Sequence, residues 1–477
     1  MTPRAAAGLL LLLQGAAWTQ DASAEAHARA GATALAARNW ADAEREYRAA
    51  LRLAPGVAEL SSNLGLSLFF QKKYDLAEDA FVQALRGSPD VLAPNLFLGR
   101  LLVDQGRAAE SVPYLERCVR SQPANAMVRK LLASGLVARG ERERALGQLR
   151  EALRLAPGDA EGWYSLGQVS MHLARGWMEK AASHPAEGKS YRNLILARSF
   201  EERGATSTAQ SYLHALGQTD PSVPTSEGQR HAMALFEAGN LEVAASRLLE
   251  LLSTRPDDPW AAYWLGRSYE RAARDAIRRL VELAPDSHRV HQLQGDLSMQ
   301  QDRARDAIGH YSKGLARKPG DRALVFSLGQ AFMKDGQFQA AVGQFETALA
   351  ADASDASASL NLARCFLALK DPRKAYDHAR RASGIDPKLL AARGVMGKAL
   401  AMEERTAEAA LELEKAAPSD TDGSLHYQLF LAYRKLNQPA KALAALRRCT
   451  ELRGHNQQEY LEEVGIRAGA PSPPPAR

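Results

Sequence analysis

At 477 residues, the chain exceeds what one hydrophobic core fills, since single cores stop growing near ~250–300 residues. It is therefore either several domains or a repeat array. Apolar residues make up 46% but aromatics only 6%, with Ala and Leu dominant and no Val/Ile/Thr runs, which argues for helices over strands. The net charge of +6 arises from 61 basic and 55 acidic residues interleaved along the chain, as in Glu141-Arg142-Glu143-Arg144. That pattern is a solvated helical surface and lacks the clustered basic footprint of a nucleic-acid binder.

Residues 1–22 read as a secretory signal peptide. Arg4 supplies the positive start, Ala5 to Leu13 the uncharged apolar run, and Gln14-Gly15-Ala16-Ala17 a small-residue site suited to cleavage after Ala17. The run is about half of the ~20 residues that span a bilayer, and no Cys follows it to carry a lipid. No later segment reaches 18 consecutive apolar residues. The expectation is an exported protein, periplasmic or secreted, without a membrane span.

From residue 24 a period of 34 takes over. Gly31, Gly65 and Gly99 each precede a proline by 24 residues, at Pro55, Pro89 and Pro123. Small residues keep the phase further on, as Ala133 with Pro157, Gly295 with Pro319 and Ala363 with Pro387. An Ala or Ser follows each mark by 12 residues (Ala43, Ala77, Ser111), and a large residue comes 4 later (Tyr47, Phe81, Leu115). Offsets of three, four and seven share one helix face. Each period therefore holds two helices, A and B, each with one apolar face. Gly or Ala lets the two approach, Gly106 and Gly140 mark the turn between them, and the proline ends helix B. A lone hairpin cannot cover its apolar face, so neighbours must stack on it.

Thirteen units start at residues 24, 58, 92, 126, 160, 190, 225, 259, 288, 322, 356, 390 and 423. Two are short. The stretches from Gly167 to Pro185 and from Gly266 to Pro285 fall five or six positions below the usual spacing, so both have lost the turn between A and B. Their starts look alike, Trp163 to Gly167 against Ala262 to Gly266. The spacing predicts one continuous helix over about 259–284, with Pro259 at its first position after Asp258. A second, weakened by Gly176, is predicted over 160–184. The competing reading is a tight turn that keeps a squat hairpin. The long helices are expected to redirect the stack, giving blocks 24–159, 190–258 and 288–456 separated by the short units 160–189 and 259–287. Residues 457–466 are expected to form a polar capping helix, and 467–477, rich in proline, a disordered tail.

The search for chemistry nominates no catalytic group. Glu187-Gly188-Lys189-Ser190 ends like a phosphate-binding loop, but the motif needs a Gly at 183, where Ser stands. His288 and His291 share a helix face without a third ligand. Cys118, Cys365 and Cys449 fall on apolar faces, far apart. The expectation is a protein that is not an enzyme, with no cofactor and no metal.

The recurring marks resemble the tetratricopeptide repeat family over residues 24–456. The resemblance implies an all-α fold, an α-solenoid in which hairpins wind into a right-handed superhelix with the A helices lining its groove. It also implies that the second, fifth, sixth, ninth, twelfth and thirteenth positions of a unit face a partner. The ninth gives Arg100, Arg198, Arg267 and Arg364, and the sixth gives Asn63 and Asn361. The others give Tyr164, Trp260, Tyr263, Trp264, Phe326 and Tyr427, the aromatics 260–264 standing at an expected bend. Each has a bland reading beside this one: an aromatic there packs the repeat core, and a lone Arg is solvated. The Lys/Asn carboxylate clamp of chaperone-binding members is absent, as is the asparagine ladder of the sugar-transferase branch. The resemblance implies a scaffold with protein or peptide ligands; joined to the expected export, it gives the leading expectation, a part in the assembly of an envelope or secretion complex. The alternatives are a substrate-presenting subunit of a separately encoded enzyme and a polysaccharide-export component.

Overall fold

The computed structural model describes residues 22–202, 204–216 and 220–463, with side chains to residue 454. Among them are twenty-four α-helices, one short 3-10 turn and no strand. Residues 1–21 of the expected signal peptide and the whole of the expected 467–477 tail lie outside the described residues. Two compact units divide the chain, one ending at Leu283 and the other starting at Ala284.

The first unit holds α1 (Ala22–Ala36), α2 (Trp40–Leu53), α3 (Ala58–Phe70), α4 (Tyr74–Gly87), α5 (Leu92–Asp104), α6 (Ala108–Ser121), α7 (Ala126–Ala138) and α8 (Arg142–Leu155). It continues with α9 (Ala160–Ala182), α10 (Gly188–Glu202), α11 (Thr206–His214), α12 (Glu227–Glu237), α13 (Leu241–Thr254) and α14 (Pro259–Leu283). The second holds α15 (His288–Gln300), α16 (Ala304–Arg317), α17 (Arg322–Lys334), α18 (Phe338–Ala351) and α19 (Ala356–Ala368). It ends with α20 (Pro372–Ile385), α21 (Leu390–Met402), α22 (Thr406–Ala416), α23 (Ser424–Lys435) and α24 (Pro439–Glu463). The expected capping helix is not separate: α24 runs unbroken through residue 457, because no Gly or Pro after Gly454 stops it before 463.

Eleven consecutive pairs form hairpins, and every one turns on a left-handed residue. These are Arg38, Lys72, Gly106, Gly140, Gly204, Gly239, Asp302, Gly336, Lys370, Glu404 and Asn437, with φ between 54° and 83°. The turn closes the first helix with a bond reaching five residues back, as Arg107 N to Leu102 O (2.8 Å) and Lys73 N to Leu68 O (3.0 Å). Six of the eleven positions carry a side chain, each at a cost of about 1 kcal/mol relative to Gly.

Within a hairpin the helix A glycine lies against the large residue of the facing helix B. A Cβ on Gly65 would come within 2.5 Å of the Phe81 ring, one on Gly99 within 2.7 Å of Leu115, and one on Gly329 within 2.8 Å of Phe345. Phe81, Leu115 and Phe345 are fully buried, each contributing roughly 1.5–3 kcal/mol of transfer free energy. The three cysteines are buried and free; burial pushes the Cys118 thiol up to about 12 and Cys365 to about 11.

The two short segments behave differently. α9 and α14 are single helices of 23 and 25 residues, and Gly176 does not break the first. Asp258 caps α14, accepting from Ala261 N at 3.1 Å. The two then pack on each other in antiparallel fashion, a pairing the sequence analysis did not foresee. A Cβ on Gly167, early in α9, would meet Ile277 (3.3 Å) late in α14. One on Gly266, early in α14, would meet Met178 Cγ (2.8 Å) and Ala174 O (3.1 Å), late in α9. Each long helix thus takes the C-terminal half of the other as the helix B it lacks. The hairpins α10–α11 and α12–α13 lie between them in sequence, and α9 and α14 also pack on α8 and α13.

Candidate partner-binding surfaces

In each unit, first helices of neighbouring hairpins touch one another as well as their own partners. α1, α3, α5 and α7 form such a layer in the first unit, and α17, α19, α21 and α23 in the second. A stack of hairpins offers this layer to a partner, since its other face is covered by second helices.

The structure sorts the sequence-derived candidates into three groups. Trp260 and Tyr263 are only 4% and 2% exposed, and Asn361 is 7% exposed. For Trp260 and Tyr263 this corrects the sequence analysis. The segment after α11 folds over them, and both Trp260 Nε1 (2.8 Å) and Trp264 Nε1 (3.1 Å) donate to Ser222 O. Tyr263 stacks obliquely on Tyr191 (5.7 Å), and Trp264 meets Phe236 edge-on (5.0 Å). These aromatics hold the α9–α14 pair to the hairpins between them and do not line an open bend. Trp260 also borders a cavity of about 760 Å³ shared with Tyr191, Asp220, Gln229 and Asp258. Two of its carboxylates are engaged internally: Asp220 accepts from Ser222 Oγ (2.6 Å), and Asp258 caps α14.

Asn63, Arg100, Tyr164, Trp264, Arg267 and Phe326 are half-buried. Arg100 pairs with Asp104 (2.9 Å) and Arg267 with Glu270 (2.9 Å), so both are neutralised within the chain. Phe326 packs edge-on against Phe345 (5.5 Å). Arg198, Arg364 and Tyr427 are exposed. Arg198 is tied to Glu201 (2.9 Å). Among the described residues Arg364 reaches Asn361 Oδ1 alone, at 3.4 Å, and desolvation by surrounding protein holds its guanidinium below its ordinary pKa. The candidates are therefore not one site; Asn361 with Arg364, and Trp260, Tyr263 and Trp264, are the groups brought together.

Two features escaped the residue-by-residue search. In the first unit Trp40, Phe69, Phe70, Tyr74 and Phe97 form an aromatic cluster. Trp40 stacks on Phe70 (4.6 Å), and Phe69 meets Phe97 (5.2 Å) and Tyr74 (5.8 Å) edge-on. Phe70 and Tyr74 remain 40% and 41% exposed. Phe69 and Phe70 occupy the twelfth and thirteenth positions of their unit, which was a sufficient signal. In the second unit, α17, α19, α21 and α23 contain no Asp or Glu at all. Their cations Arg322, Lys334 and Arg393 find carboxylates elsewhere, on Asp352 (2.6 Å), Asp302 (2.8 Å) and Glu412 (3.0 Å).

Models described as tetratricopeptide repeat match residues 24–91, 130–183, 230–272, 269–322 and 326–389, with two more at 68–135 and 424–456. The chain belongs to the tetratricopeptide repeat family. Proteins of this family are typically protein-interaction scaffolds. Among solved structures the chain is similar to the Cut9–Hcn1 heterotetramer (15% identity, 94% of this chain and 90% of that one, TM-score 0.35). It is also similar to YrrB, titled a tetratricopeptide protein with an unusual peptide-binding site (18% identity, 39% and 97%, TM-score 0.32). A third is a tetratricopeptide protein of Thermus thermophilus (15% identity, 38% and 98%, TM-score 0.32). These likenesses concern fold alone. No curated protein shows significant similarity to the chain. No described helix is long and apolar enough to cross a membrane.

Proposed function

We propose that this tetratricopeptide chain is a non-enzymatic scaffold that binds protein or peptide ligands on its layers of first helices, works after export, and serves the assembly of an envelope or secretion complex. The observation that supports it most is the exposure of anchor-type side chains on those layers: Phe70 in the first unit, Arg364 and Tyr427 in the second. Aromatics and Arg dominate the energetics of protein interfaces. Export rests on residues 1–22, whose apolar run is too short to anchor and is followed by small residues.

In-cell crosslinking followed by mass spectrometry tests the scaffold reading. The expected result is recurrent capture of the same polypeptides, with crosslinks mapping to first helices. Crosslinks confined to second helices, or no recurrent polypeptide, would overturn it. For export, N-terminal sequencing of protein from the native host is expected to find a start just after Ala17. Intact Met1 on cytoplasmic material would contradict it.

A further inference from the structure

Four cations on the layer α17–α19–α21–α23 have no carboxylate of this chain within ion-pair distance among the described residues: Arg364, Lys398, Arg434 and Lys435. Arg364 makes one long bond to Asn361 (3.4 Å), Arg434 lies over the Phe430 ring (5.5 Å), and the layer itself offers no acid. The contrast with neighbouring elements is chemical. The second helices of the same unit carry acids, such as Glu346, Asp377, Glu408 and Glu412, and the turns carry Asp302, Asp335, Asp352 and Asp371. Acids are thus plentiful on the far side and at the edges of the layer and missing from its floor. Arg364 is crowded by protein without a counter-charge, which weakens the fold, and a ligand carboxylate would remove that cost.

Apolar groups stand among these cations. Met402 is 45% and Tyr427 38% exposed, and Phe326 is half-buried. We propose that the first-helix layer of the second unit binds an extended polypeptide in which Asp or Glu side chains alternate with apolar ones, with Arg364 and Lys398 as the anchoring cations. The mixture of apolar and cationic groups favours such a polypeptide over a nucleic acid, which would call for a denser basic track. This inference rests on the scaffold reading above and names the chemistry of its ligand.

The test uses the full chain and a labelled dodecapeptide of alternating Glu and Leu, followed by fluorescence anisotropy. The expected result is binding that weakens several-fold as salt rises from ~50 to ~500 mM, since screening acts on exposed pairs. The same peptide with Gln for Glu is expected not to bind. R364Q combined with K398Q is expected to weaken binding about tenfold, while R373Q, on α20 and 89% exposed, leaves it unchanged. If the double variant melts early, K398Q alone is read by its loss of salt dependence. Equal binding of the Gln peptide, unchanged binding by the variants, or tighter binding of an oligothymidylate of equal charge would each overturn the proposal. A photo-crosslinker at Gln330, exposed on the same layer, separates the two failures. Polypeptides captured equally by wild type and variant would sink the acidic ligand and leave the scaffold standing. Absence of any recurrent polypeptide would sink the scaffold itself.

Discussion

The hairpin α3–α4 and the pair α9–α14 apply one packing rule over very different chain distances. In the hairpin, Gly65 admits Phe81 from the very next helix. In the long pair, Gly266 admits Met178 and Gly167 admits Ile277, contacts between helices that two complete hairpins separate in sequence. Removing the left-handed turn forbids a helix from folding back on itself, but the glycine still needs a large side chain from a helix B. The two turnless segments satisfy each other. What differs is cooperativity: an ordinary hairpin can fail locally, whereas the exchanged pair ties together everything between residues 160 and 283.

The largest effect is expected from overpacking that pair. Gly266→Leu meets Met178 and the backbone oxygen of Ala174, which cannot rotate away, and should cost about 3 kcal/mol by denaturant titration. Its local counterpart, Gly99→Leu, meets first the side chain of Leu115, which can shift where a backbone oxygen cannot, and should cost about 1–2 kcal/mol. Hydrogen exchange is expected to rise over residues 92–121 and little elsewhere, since repeats depend chiefly on their neighbours. Equal costs for the two variants would erase the distinction drawn here.

Smaller effects sharpen it with the opposite sign. Lys72→Gly removes left-handed strain at an exposed turn (φ 63°) and should stabilise the first unit by about 1 kcal/mol. Gly176→Ala, in the middle of α9 with nothing within 4 Å of the added carbon, should stabilise by at most about 1 kcal/mol. A destabilised Gly176→Ala in thermal melts would mean that α9 is not a straight helix there.

The smallest effect is in pH. Burial alone would raise the Glu44 carboxyl, but hydrogen bonds from Lys73 (2.7 Å) and Gln71 (2.7 Å) and the charge of Arg48 outweigh it, and its pKa is lowered. A lowered folded pKa means stability that is present above the ordinary value of 4.5 and is lost as pH falls through the lowered one. Glu44→Gln should therefore flatten the acid limb of the stability curve and leave its slope at neutral pH unchanged.

The legible and illegible parts of the molecule divide along the same line. Period, hairpins and turns could be read because Gly99, Gly106 and Leu115 belong to a single hairpin. The continuous helices were legible too, from the missing turn after Gly167 and Gly266. Their pairing was not, although the likeness of Trp163–Gly167 to Ala262–Gly266 hinted that both shared one need. For Trp260 and Tyr263 the sequence left groove and core readings side by side, because the groups that bury them, the Ser222 carbonyl and the Tyr191 ring, come from far upstream, beyond the whole α12–α13 hairpin. The acid-free layer needed no structure to be seen. It escaped because residues were weighed singly, and the signal is an absence shared by four helices.

Hydrogen exchange of Gly266→Leu, read peptide by peptide against the wild type, tests the exchanged pair most directly. The account predicts that protection falls together in residues 160–182 and 259–283, with 92–155 unchanged. Loss confined to 259–283, with 160–182 as protected as before, would contradict it.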